Sequence, residues 1–141
     1  MESMLQTALR DDALASTSEG FELRIGLPWI RSMPLSSVSS LELVIDDEPM
    51  PPTALSALLG ERRVPASSLQ AESGWWFVQD RLVIAGQRRL GPGEHTVSAG
   101  FWLLVPYLQA GPGSPLILPF HLESRLQLDH AHVPSVSCDV A

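Results

Sequence analysis

The sequence predicts an all-β protein, a single-domain β-sandwich of about seven or eight mostly antiparallel strands. Two observations predict it. Apolar residues recur with period two in short runs, at Phe21, Leu23, Ile25 and Leu27 and again at Leu41, Leu43 and Ile45. Twelve prolines and ten glycines punctuate these runs, which suits short strands and turns rather than long helices. A chain of 141 residues fits one hydrophobic core.

Residues 1–19 read as an N-terminal segment packing on the domain. Met1, Met4, Leu5, Ala8 and Leu9 would share one helical face, but that run is too short to decide. Asp11 to Gly20 is polar and reads as a loop. The first clear strand is Phe21 to Leu27, after which Pro28 and Pro34 bracket a stiff crossing that carries Trp29 and Arg31. The second strand ends on the turn Asp46-Asp47-Glu48-Pro49. Thr53 to Leu59 leaves helix and strand open, since good helix formers follow two prolines and stop at Gly60. Pro65 to Leu69 has the composition of one helical turn.

Trp75, Trp76 and Phe77 precede a short strand at Leu82 to Ala85, and Leu90 to Glu94 is a strong turn. His95 to Val105 is apolar on both faces in its second half, as a central strand covered on both sides would be. Pro106 is expected to stop it, with Tyr107 on the following bend and Gly111 to Pro115 a flexible surface loop. Leu122, Leu126 and Leu128 alternate with polar residues, giving a last strand with one wet face. The sandwich thus spans 20–130, and 131–141 is a C-terminal tail expected to be poorly ordered. No internal repeat is visible.

A formal charge of −7 argues against nucleic acid and against an anionic membrane surface as partners. No apolar run approaches the roughly 20 residues of a membrane helix, and Glu2, Asp11 and Asp12 interrupt any signal-like start. A soluble, cytoplasmic protein is expected. Cys138 is the one cysteine, so an internal disulfide is excluded, and no His/Asp arrangement marks it as a nucleophile.

Few residues suggest chemistry. His130 and His132 share a face if extended, but no third metal ligand is indicated. His95 and His121 stand apart and read as satisfied or solvent-facing histidines. Asp46, Asp47 and Glu48 are explained by a turn in which Asp side chains bond their own backbone. No nucleophile elbow, phosphate loop or zinc-protease helix pattern occurs. The aromatics are more informative. On a strand, the adjacent Trp75 and Trp76 must face opposite ways, so one is read as core and the other as outward. An outward tryptophan near Trp29 and Arg31 has the composition of an interface hot spot or a sugar-stacking platform. The plainer alternative is that every tryptophan is core.

Three stretches carry a family resemblance. LPWIRSMPLSSVSSLELVIDDE resembles a strand, P-[aromatic]-x-R-G-x-P-L-S, then a strand ending in V-D-G-E. WWFVQDRLVI resembles a segment with a Trp-Phe pair ahead of a short strand, and GEHTVSAGFWLLVPY a G-x-H-x-V strand ending in P-Y. Their order, over about Phe21 to Leu128, is similar to that of the small β subunit of bacterial C-glycoside deglycosidases. Ile30 and Ser32 stand where an aromatic and a glycine are usual, and Asp47 replaces the turn glycine.

The resemblance implies a two-subunit carbon–carbon lyase acting on a 3-oxo-C-glycoside. A ketone at C3 acidifies the C2 proton; a base removes it, a divalent metal stabilises the enolate, and elimination frees a flavonoid or other aromatic aglycone. It further implies that the metal, often manganese, and the catalytic histidine belong to a larger, TIM-barrel-like α subunit. The β subunit would then contribute no catalytic residue, metal or cofactor of its own. It would stabilise that partner and wall or gate its active-site mouth. The expected docking patch is Trp29, Arg31, Pro34, Trp75, Trp76 and Tyr107. The alternatives are a stand-alone carbohydrate-binding β-sandwich, disfavoured by the lack of a signal peptide, and a metalloenzyme built on His130 and His132.

Overall fold

The computed structural model describes residues 8–29, 31–131 and 138–140, with the backbone alone at 106–111 and 115. The described residues form eleven strands, more than the alternation reveals: β1 Leu14–Ser16, β2 Phe21–Gly26, β3 Met33–Pro34, β4 Val38–Ile45, β5 Glu48–Pro49, β6 Leu55–Leu59, β7 Arg62–Pro65, β8 Trp75–Trp76, β9 Arg81–Gly86, β10 Glu94–Gly111 and β11 Ser114–Gln127. They assemble into a five-stranded sheet in the order β1-β2-β9-β6-β7, a four-stranded sheet in the order β11-β10-β4-β5, and the two-stranded ribbon β3-β8. Every ladder between these strands is antiparallel. The expected all-β class is therefore observed.

The two large sheets contribute to one hydrophobic cluster, as the facing layers of a sandwich do. Phe21, Leu23 and Ile25 of β2, Leu55, Ala57 and Leu59 of β6 and Ile84 of β9 enter it from one sheet. Leu43 and Ile45 of β4, the odd residues Val97 to Val105 of β10, and Phe120, Leu122 and Leu126 of β11 enter from the other. Each large apolar side chain fully removed from water stabilises by roughly 1.5–3 kcal/mol. The open segment Thr53 to Leu59 resolves as a 3-10 turn at Pro52–Ala54 followed by strand β6, and a 3-10 helix at Ala66–Ala71 stands where one helical turn was expected.

Several local expectations are corrected. β4 starts at Val38, not near Leu41, because Ser40 has a positive φ of 53° and the pairing with β10 slips between Gly100 and Trp102. That bulge shifts the alternation by one, so Val38 lies buried together with Leu43 and Ile45. Pro106 does not stop β10, which runs to Gly111. The β10–β11 ladder is interrupted between Val105 and Gln109, so no ladder bond depends on an N–H at Pro106. Gly111 to Pro115, expected as a loose loop, is a tight hairpin: Gly111 pairs with Ser114 around Pro112 and a Gly113 of φ 72°, the chemistry of a type II turn. Nor is β10 covered on both faces, since Trp102 is exposed on its outer side.

Both described ends are tied in. Ala8, Leu9, Ala13 and Leu14 join the core, and β1 is pinned by Asp129, which accepts from the Ser16 backbone N–H at 2.7 Å and from its hydroxyl. In the tail, Cys138–Val140 lies along Arg81: the Arg81 N–H donates to the Cys138 carbonyl at 2.8 Å and the Val140 N–H to the Arg81 carbonyl at 2.9 Å. Arg24 grips Asp139 through Nε and Nη2 at 3.0 and 3.2 Å. These residues are docked rather than loose.

Candidate docking surface

The crossing between β2 and β4 returns alongside the double tryptophan. Met33 pairs with Trp76 and Pro34 with Trp75, and the Leu35 N–H donates to the Gly74 carbonyl at 3.0 Å. Strand geometry then separates the two indoles. Trp76 is 1% exposed and belongs to the core, so its place in the expected docking patch is corrected; Trp75 is 50% exposed and faces outward.

Trp76 also fixes the turn that comes after it. Its Nε1–H donates to the Asp80 carbonyl at 3.1 Å, and the Asp80 N–H closes the turn onto the Phe77 carbonyl at 2.9 Å. From the other side, the Ser32 hydroxyl accepts from the Val78 N–H at 2.8 Å. Ser32 is a departure from the resembled pattern's glycine, and its hydroxyl is the group that ties the crossing to this turn. Held so, Phe77 and Val78 stand 53% and 48% exposed. Trp75, Phe77 and Val78 are three of the five large hydrophobics exposed among the described residues.

Trp29 and Trp76 are joined through the core by a row of rings. Trp29 meets Phe120 edge-on at 6.1 Å, Phe120 stacks on Phe101 at 5.8 Å, and Phe101 contacts Trp76 at 5.9 Å. Such pairs add roughly 0.5–1.5 kcal/mol each beyond their burial. Trp29 is half-buried, Pro34 half-buried opposite Trp75, and Arg31 exposed. The side chain of Tyr107 lies outside the described residues. The sequence reading missed Phe77 and Val78 because a β-turn has no periodicity. Trp102 and Ile117 form a separate exposed pair on β10 and β11, where Trp102 stands opposite Pro119 and Leu104 opposite Ile117.

No group of three or more His, Cys, Asp or Glu suited to a metal ion occurs among the described residues. His130 is exposed with Nδ1 against the Ala131 carbonyl at 2.9 Å, and His132 lies outside the described residues. Asp46 does not bond its own turn; its carboxylate crosses to His95 and to the Thr96 N–H on β10. No described helix is long and apolar enough to cross a membrane.

Fold and surface together define a class: a two-sheet antiparallel sandwich that presents a rigid aromatic turn at one ribbon, equipped for contact with another molecule. The family model for the C-glycoside deglycosidase beta subunit matches residues 2–107. A 3'-dehydrocarminate deglycosidase beta subunit from a Microbacterium species is 31% identical over 119 residues, covering 83% of this chain and 89% of that protein. A C-glycoside deglycosidase beta subunit from Microbacterium trichothecenolyticum is 30% identical over 105 residues, covering 73% and 76%. The corresponding subunit of Arthrobacter globiformis is 28% identical over 89 residues, covering 61% and 68%. The chain belongs to the C-glycoside deglycosidase beta subunit family.

Proposed function

We propose that this protein is the small subunit of a cytoplasmic, heteromeric C-glycoside deglycosidase. In this reading it docks on a larger barrel subunit and stabilises it, and it shapes the mouth of an active site that cleaves the carbon–carbon bond of a 3-oxo-C-glycoside. The 3'-dehydro substrate in one relative's name supports a sugar oxidised at that position. The divalent metal, manganese by resemblance, supplies Lewis acidity in the partner. The described residues here offer no ligand set for it. The small subunit's own task is binding and the exclusion of water.

The observation that carries the reading is the fixed turn that exposes Phe77 and Val78 beside Trp75, close to Ser32 and thus to Arg31. Rigid aromatics beside an arginine lose little conformational entropy on binding and are typical anchors of an interface. Trp29, Arg31, Pro34 and Trp75, joined by Phe77 and Val78, make up the proposed patch, with Tyr107 as a further member.

Co-expression with the larger subunit, followed by size exclusion and a 3-oxo-C-glycoside cleavage assay, tests this function. A stable complex, active only when both subunits are present, is the expected result. A barrel subunit that is fully active and stable alone would sink the reading. Sugar titration of the isolated small subunit, followed by tryptophan fluorescence, would then distinguish a stand-alone carbohydrate-binding module.

A further inference from the structure

The two ends of the β10 strand have different characters, and the end remote from β10's pairing with the start of β4 holds a buried titratable group that the docking function does not use. His95, the second residue of β10, is 9% exposed, and each ring nitrogen faces an acceptor. Nδ1 lies 2.6 Å from Asp46 Oδ2, and Nε2 lies 2.6 Å from the Gly91 carbonyl oxygen. A neutral imidazole has one N–H. It would satisfy one acceptor and set a lone pair against the other at the same short distance. The imidazolium, with two N–H groups, satisfies both.

We propose that His95 is held as the imidazolium at neutral pH and serves as a charge-dependent clasp, fastening both the Asp46–Asp47 hairpin and the Gly91 turn to the start of β10. Asp46 is built for the part. It sits at φ 50° in the β4–β5 hairpin with Asp47 at φ 66°, and its Oδ1 accepts from the Thr96 N–H at 3.0 Å while Oδ2 meets His95. The surrounding charges are few. Arg88, from the loop after β9, reaches the same hairpin through Glu48 at 3.3 Å and weakly opposes a second positive charge. Across the β10–β11 ladder His95 faces the apolar Leu126, and Glu94 and Asp47 are exposed neighbours. Two stretches with family resemblance, the strand ending in Asp46-Asp47-Glu48 and the Gly93-Glu94-His95 strand, thus meet in a single contact. The arrangement also argues against a base, because Nε2 is occupied by the Gly91 carbonyl.

The sign of the pH dependence comes from the two shifts. The bond to Asp46 raises His95 above its ordinary 6.5, against the opposing effect of burial and with help from Gly91. Its contribution is complete below about 6.5 and is lost as pH rises through the raised value. The bond to His95, then that to Thr96, lowers Asp46 below its ordinary 3.8, so its share is complete above that value and lost as pH falls through the lowered one. The clasp is whole between these limits.

Ring-nitrogen NMR of the whole protein labelled with 15N-histidine tests the proposal. His95 is expected to show two protonated ring nitrogens at pH 7 and to titrate above the ordinary histidine value of 6.5. Asp46→Asn keeps a residue tolerant of positive φ and should lower the His95 midpoint by about one pH unit or more. The denaturant midpoint of the parent, but not of this variant, should fall as pH is raised through the His95 transition. A neutral His95 at pH 7, or a midpoint unmoved by Asp46→Asn, overturns the clasp.

Discussion

Neighbouring tryptophans in this protein face opposite ways, and single substitutions separate them. Trp76→Ala removes a buried indole from the row of rings and the donor to Asp80, so it should destabilise the fold by about 3–5 kcal/mol in denaturant titration. Trp75→Ala, half in water, should cost only about 1–1.5 kcal/mol. Arg81 is a second decisive residue. Its guanidinium meets Asp12 at 2.8 Å with both side chains buried, while its Nε has no hydrogen-bond partner. Arg81→Met removes one member of this buried ion pair and should cost about 3 kcal/mol or more. The double variant Arg81→Met/Asp12→Leu should come closer to the parent than Arg81→Met alone, because the buried carboxylate is removed together with the guanidinium. At Asp47, which holds φ 66° where the resembled pattern has glycine, Asp47→Gly should raise stability by about 0.5 kcal/mol, read as a higher melting temperature.

Elements with steady alternation were legible in the sequence, and those with a local device were not. β2 reads correctly because its inner residues never leave phase, from Phe21 through Ile25. β4 reads correctly only after Leu41, since the bulge at Ser40 reverses the phase of Val38 and hides the strand's first half. Pro106 and the Gly111–Pro115 run misled for another reason: breaker residues mark points where the ladder needs no donor, and a long hairpin can supply such points internally. β1 escaped notice because it is three residues long and is secured from a distance by Asp129. The β2–β9 seam carries its own prediction. A Cβ at Gly86 would collide with the Phe21 ring, so this strand glycine makes room for a buried aromatic. Gly86→Ala should therefore cost about 1–3 kcal/mol through overpacking, measurable in chemical denaturation.

For the whole molecule, the sequence located the crossing and the double tryptophan but could not say which indole faces water. Nor could it show that Phe77 and Val78 are presented by a turn pinned through Trp76 and Ser32, since those bonds join residues separated by up to 46 positions. The resemblance to the family was legible; the contact between Asp46 and His95 was not, because it needs two sheet strands brought into register. Among the described residues the sandwich leaves two exposed apolar regions, the Trp75–Val78 turn and the Trp102–Ile117 face, and the proposed function uses the first. The affinity of this protein for the proposed larger subunit is therefore the most direct measurement, taken for the parent, Trp75→Ala/Phe77→Ala and Trp102→Ala, each checked for an unchanged fold. The account predicts a loss of about tenfold or more for the double variant and about twofold or less for Trp102→Ala. Full affinity in the double variant, or a large loss confined to Trp102→Ala, would contradict it.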